Sequence, residues 1–346
     1  MALQLSTLLG IDLPVIQAPM AGVQGSDMAI AVCNAGGLGS LPAAMLSLSD
    51  LRAELSRISS ATDRPYNVNF FCHDAPAFDA QRDAAWRLAL VPYYQELALD
   101  QGAIGAGPGR APFTAEAADV LEEFKPPVIS FHFGLPSADL LARVKRWGAT
   151  VLSSATTVDE GLWLQAHGVD IVIAQGLEAG GHRGHFLSHD LTLQMGTFAL
   201  VPQLVKALKV PVVAAGGIAD AKGVAAALAL GAVGVQVGTA YLLAPEATTS
   251  KVHRAALQSH AACHTALTNV FTGRPARGIV NRLVSTVGPL SSQAPEFPLA
   301  TAAIAPLRAK AESLGSGEFS PLWSGQNASA CREASAADIT RALMAG

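Results

Sequence analysis

The chain of 346 residues is half hydrophobic and only 14% charged, with a net charge of −4 at pH 7. That supplies a large core, and the scattered basic residues and few aromatics exclude a nucleic-acid-binding surface. Cys33, Cys72, Cys263 and Cys331 form no CxxC and no metal-like spacing, which excludes a disulfide scaffold and leaves no metal cluster visible.

The N-terminal MALQLSTLLGIDLPVI lacks a basic n-region and a cleavage site, which points to the cytoplasm. Short apolar or β-branched runs follow at 14–19, 38–42, 66–71, 128–133, 150–154, 171–174, 210–215 and 234–238. Helical patterns lie between them at 48–58, 138–147, 158–167, 200–208 and 221–230. Eight strands alternating with helices predict a parallel α/β sheet closed into a (β/α)8 TIM barrel. The uncharged stretch 223–244 is long enough for a membrane span. Gly231, Gly234 and Gly238 divide it, however, and Gln236 and Thr239 lie in its second half. It therefore reads as a helix, a tight turn and a strand buried on both faces, and no membrane partner is expected.

Two intervals exceed the regular spacing. Residues 73–126 add a helix around 80–100 and a glycine/proline-rich turn at 102–112. Residues 175–194 add a glycine loop and a flap, HFLSHDLTLQ. Both follow strand ends, the face on which barrels build their sites. From 244 to 320 the alternation stops. A helical pattern at 250–265, a TGRPARGIVNR turn and a proline-dotted stretch at 289–306 predict a smaller, mainly helical cap domain. The expected division is a barrel from 1–243 and 321–346, ending in a helix at 336–344, with the cap between.

QGLEAGGHRG at 175–184 presents His182 in a loop whose glycines admit a close backbone approach to a ligand. Imidazole is the side chain that exchanges protons most readily near neutral pH. A glycine-rich surface turn is the plain alternative. The seventh and eighth strands end in Gly216–Gly217 and Gly238–Thr239. Loops at these positions commonly bind phosphate through backbone N–H groups, and the Thr239 hydroxyl adds a donor. The alternative is that they merely permit tight turns. No GxGxxG follows the first strand, and no P-loop is present.

PVIQAPMAGV (14–23), NVNFF (67–71), QGLEAGGHRG, AAGGIAD (214–220), VQVGTAYL (235–242), TGRPARG (272–278) and LWSGQ (322–326) occur in order. Together they resemble the nitronate monooxygenase family, FMN-dependent TIM-barrel enzymes. AWRLALVPYYQEL (85–97) resembles its bacterial class I group. The resemblance implies Ala18, Pro19 and Met20 along the isoalloxazine ring, Asn69 and Gln175 bonded to it, and Gly180 and Gly181 passing close by. Gly217, Gly238 and Thr239 would hold the phosphate beside Gly216, and Gly325 with Gln326 would close the site. His182 would sit over the reactive face, as base towards a nitroalkane or hydrogen-bond partner of a nitronate. The implied reaction takes a small-molecule nitronate and O2 to a carbonyl compound and nitrite, with no metal, in a monomer or homodimer.

An FMN-dependent NAD(P)H reductase of quinones or enoyl thioesters shares the fold and the histidine; the 73–126 insertion favours the monooxygenase. A non-catalytic flavin- or phosphate-binding carrier is the other alternative, and His182 tells against it. Among lesser candidates, His132 ends the fourth strand and either faces substrate or is a satisfied buried imidazole. His185 and His189 read as solvated flap residues, and Tyr93 and Tyr94 as packing. Arg183 meets an anionic substrate or forms a surface salt bridge. Glu178 orients the glycine loop by accepting N–H bonds. Ser153 and Ser154 face the phosphate side or satisfy backbone. Class I members carry tyrosines and a lysine where this chain, over 295–310, has Phe297, Lys310 and no tyrosine. That implies a more apolar nitronate than propionate 3-nitronate.

Overall fold

The computed structural model describes residues 4–105, 110–328 and 331–345. Its strands are β1 (Val15–Gln17), β2 (Gly39–Pro42), β3 (Tyr66–Phe71), β4 (Val128–His132), β5 (Thr150–Ala155), β6 (Ile171–Gln175), β7 (Gly181–His182), β8 (Val212–Ala215), β9 (Gly234–Val237), β10 (Thr265–Thr268) and β11 (Ala276–Ile279). Eight of them form one sheet in the order β1-β9-β8-β6-β5-β4-β3-β2. Every pairing in it is parallel. Its two edges meet: Gln17 N donates to Leu38 O at 2.9 Å, and Leu38 N to Val15 O at 2.9 Å. The sheet is thus a closed (β/α)8 barrel, with all eight anticipated strands in place.

Successive residues of a strand point to opposite faces, and the two faces are sorted by chemistry. Ile129, Phe131, Val172, Ala174, Val212 and Ala214 face outward and pack beneath the surrounding helices. Val128, Leu152, Ile171, Ile173 and Val213 face inward and pack on Leu5 and Leu9 of the first helix, Leu5–Leu9. The inward series changes character towards the C-terminal strand ends. Val128 gives way to Ser130 and His132, Leu152 to Ser154, and Ile173 to Gln175. The bottom of the barrel is therefore apolar core, and its top is a ring of polar and titratable groups.

The stretch 223–244 divides as expected, into the helix Ala221–Ala229 and β9. Among the described residues no helix is long and apolar enough to cross a membrane. Within the expected turn at 102–112, residues 106–109 lie outside the described part.

Above the barrel, the helix Ala80–Glu96 packs Trp86, Leu90, Tyr93 and Tyr94 against Phe271, Leu283, Ile304, Leu307 and Phe319. Tyr94 Oη donates to Ala303 O at 2.7 Å, and Tyr93 Oη to Thr286 Oγ1 at 2.6 Å, so both tyrosines serve packing. The pattern at 250–265 resolves into the helix Lys251–Leu257, a 3-10 turn His260–Cys263 and the start of β10. The TGRPARGIVNR segment, expected as a turn, instead contains β11. This strand pairs antiparallel with β10 on one side and β7 on the other, placing Ala276 opposite His182.

Candidate active site

A cavity opens over the polar ring at the C-terminal strand ends. Ala18, Pro19, Met20, Asn69, Gln175, Gly180, Gly181, Gly216, Gly217, Gly238, Thr239 and Gly325 line it, together with His132 and His182. Two expected residues do not. Gln326 instead donates its backbone N–H to Glu178 O at 2.9 Å, tying the returning C-terminal segment to the glycine loop. Phe297 stands behind His182, ring centroids 5.2 Å apart.

At one end, the backbone N–H groups of Gly216, Gly217 and Gly238 donate to no atom of the described chain. All three glycines are half-buried and line the cavity, and three unpaired N–H groups at one rim suit an acceptor. Gly216 and Gly217 have φ of +116° and +73°, conformations that other residues adopt at a cost. Thr239 Oγ1 accepts from Gly325 N at 2.9 Å, which leaves its own proton to donate. Gly180 lies so close to the C-terminal segment that a Cβ there would stand 2.5 Å from Gly325 N. Ala18, Pro19 and Met20 form an apolar wall. Asn69 spends its amide N–H groups on Ser130 Oγ at 2.9 Å and Ser130 O at 3.2 Å, so its Oδ1 remains unused.

At the other end is His182. Its Nε2 is 2.9 Å from Thr272 Oγ1, and the rings of Phe71, Phe133, Phe297 and Trp323 surround it. Removal from water pushes its pKa well below the ordinary 6.5, with Arg110 the next contributor. The imidazole is therefore neutral at pH 7. Its backbone is clamped: Gln175 Nε2 donates to His182 O at 2.9 Å, while Gln175 Oε1 accepts from Gly184 N at 2.8 Å. His132 Nε2 also meets His182 O, at 3.2 Å. A carbonyl only accepts, so His132 carries its proton on Nε2, and Ser154 Oγ donates to His132 Nδ1 at 2.6 Å. Burial lowers the pKa of His132 to about 3.

Residues 3–346 match the family model described as nitronate monooxygenase. The chain belongs to the nitronate monooxygenase family. It is 41% identical over 342 residues to a nitronate monooxygenase of Paraburkholderia phytofirmans, covering 97% of this chain and 92% of the relative. It is 40% identical over 346 residues to one of Pseudomonas aeruginosa, covering 97% of each. The crystal structure of a nitroalkane oxidase from Streptomyces ansochromogenes superposes with a TM-score of 0.89 at 37% identity, covering 99% of this chain and 96% of that one. The protein is thus an oxidoreductase of this family, built on the barrel described.

In this member of the family, several lesser candidates do other work than expected. Arg183 neither meets a substrate position nor forms a surface salt bridge. It is fully buried and donates to Gln194 Oε1 at 2.7 Å, Gly176 O at 2.7 Å and Gln175 O at 2.8 Å, holding the start of the glycine loop. His185 is buried, not solvated, and its pKa falls to about 3 through burial; His189 is exposed. Glu178 accepts N–H bonds from the first turn of the helix Thr197–Ala207, at Thr197 N (2.8 Å), rather than from the glycine loop. Ser154 lines the cavity, whereas Ser153 donates to Gly134 O at 2.8 Å and does not.

Sequence reasoning missed Arg110, Thr272, Gln236 and Trp323. Arg110, Gln236 and Trp323 line the cavity, and Gln236 Oε1 is buried with no hydrogen-bond partner among the described residues. Gln236 could have been found: it is the one amide in an otherwise apolar strand pattern. Arg110 carries no such signal.

Proposed function

We propose that the chain is an FMN-dependent nitronate monooxygenase, converting alkyl nitronates and dioxygen to a carbonyl compound and nitrite. The observation that carries this reading is one cavity with three unpartnered backbone donors at one end and a neutral imidazole at the other. A cluster of main-chain N–H groups suits a phosphate dianion, so Gly216, Gly217 and Gly238, with the Thr239 hydroxyl, would hold the FMN phosphate. The Ala18–Pro19–Met20 wall suits one face of the ring, and the free Asn69 Oδ1 suits a ring N–H. Bound there, FMN would supply the redox chemistry, taking electrons from the nitronate and passing them to dioxygen.

The chain's own residues do the rest. His182, uncharged and held by Thr272, takes a proton from the carbon bearing a neutral nitro group or hydrogen-bonds an already ionised nitronate. His132, with both ring nitrogens engaged, and Gln175 fix the backbone from which His182 projects. Phe71, Phe133 and Phe297 keep water from that side.

Absorbance spectroscopy of the purified protein with ethylnitronate and then NADH, aerobically and anaerobically, tests the reading. A yellow protein that releases nitrite from ethylnitronate in air is the expected result. Rapid anaerobic bleaching by NADH with no response to nitronate would favour the reductase of quinones or enoyl thioesters. A colourless protein that takes up no FMN sinks both.

A further inference from the structure

Two enclosed arginines of this fold spread their guanidinium over several acceptors. Arg183 uses Nε, Nη1 and Nη2 on three oxygens. Arg254 donates to the carbonyls of Thr249, Leu243, Ala244 and Ala247. Arg110 is different. A guanidinium has five N–H donors and no acceptor, and Arg110 commits one of them, Nη1, to Thr301 Oγ1 at 3.1 Å. No carboxylate among the described residues pairs with it. The charge that acts on it is Arg308, another cation, itself paired with Glu312 at 2.8 Å.

This underused cation lines the same cavity as His182. Its guanidinium carbon lies 5.9 Å from the Phe297 ring, which in turn is 5.2 Å from the His182 ring. Among the described residues, no aspartate, glutamate or lysine lines the cavity with it. Enclosing a charge without a counter-charge is costly, and a bound anion offsets that cost. The lack of tyrosines over 295–310 pointed to an apolar substrate pocket. The insertion between β3 and β4 delivers a cation to that pocket instead.

We propose that Arg110 is a specificity-determining residue that anchors the negative charge of the substrate, so that the site selects the nitronate anion over the neutral nitroalkane of the same carbon skeleton. This rests on the nitronate chemistry proposed above. Arg110 makes and breaks no bond in the reaction; it binds.

The test compares the FMN-loaded wild type with Arg110→Gln and Arg110→Lys at constant ionic strength. Anaerobic calorimetric titration with sodium nitrate uses a planar, nitronate-shaped anion that cannot be oxidised, and titration with 1-nitropropane supplies the neutral counterpart. In Arg110→Gln the ratio of the nitrate Kd to the 1-nitropropane Kd should rise about thirtyfold or more, the usual scale for removing one partner of an enclosed charge pair. The KM for propyl-1-nitronate should rise by more than kcat falls, and Arg110→Lys should recover most of the nitrate affinity. An unchanged ratio overturns the proposal, as does equal weakening of both ligands. If Arg110→Gln does not fold, competition decides: nitrate must compete with nitronate in the wild type, and its inhibition constant must stay near the wild-type value in Arg110→Lys. Failure of either overturns the anchor. Arg110-dependent nitrate binding without nitrite release would sink the nitronate chemistry and leave the anchor standing; nitrite release with an unmoved ratio would do the reverse.

Discussion

A neutral imidazole among four aromatic rings is a poor place to store a proton but a good place from which to accept one as an anion forms beside it. If His182 is the base and FMN binds as proposed, His182→Asn retains bound FMN, because the glycine amides proposed for its phosphate lie at the other end of the cavity. It loses turnover on neutral nitroalkanes by about a hundredfold or more, in the range of general base contributions, and keeps more on nitronates, which need no deprotonation. Nitrite release measured on both forms of one substrate checks this, and equal activity of mutant and wild type on both refutes the base role. The place of His182 on the cavity was legible in the sequence because glycines surrounded it. Arg110 was not, since its arrival in the cavity depends on how the 73–126 insertion folds. Arg183 misled for another reason: arginine is mostly a surface residue, and only the structure shows the carbonyls that receive it.

At the scale of elements, the barrel strands were readable because each is a short, nearly unbroken apolar run. The three-stranded sheet of β7, β10 and β11 was not. β7 has two residues, Gly181 and His182, and β11 reads Ala-Arg-Gly-Ile, so neither carries strand periodicity. Their pairing is a long-range event. The helix Ser26–Asn34 was also missed; it starts from Gly25 with no side-chain cap, so its start signal is absent. Gln175 joins β6 to this second sheet. Gln175→Leu leaves Gly184 N without an acceptor, which should cost about 1–3 kcal/mol of stability, measurable by denaturant unfolding. It should also lower kcat, because His182 loses a tether; full activity in that variant would show that the clamp is dispensable. In the upper layer, Trp86 is fully buried. Trp86→Ala should destabilise the protein by about 3–5 kcal/mol; a loss below 1 kcal/mol on chemical denaturation would mean that this helix contributes little to the fold.

For the whole molecule, burial of uncharged histidines sets the acid limit of stability. Burial lowers the pKa of His185 to about 3 and that of His253 to about 4, from an ordinary 6.5. Above pH 6.5 both are neutral whether the chain is folded or unfolded, and neither affects stability. Below it the unfolded chain takes up protons that the folded chain refuses, so stability falls as pH drops from about 6.5 towards 4. Each histidine contributes up to about 1.4 kcal/mol per pH unit in that window. Urea midpoints at pH 7.5, 6.0 and 5.0 check the sign; a midpoint that holds steady down to pH 5 would contradict it.

The missing carboxylates have a practical corollary. If Arg110 anchors the reactant, any small anion can lodge in its place, and chloride or phosphate in a reaction buffer becomes a rival for the pocket. Substrates ranked at unequal salt would then be ordered by their buffers rather than by their chemistry.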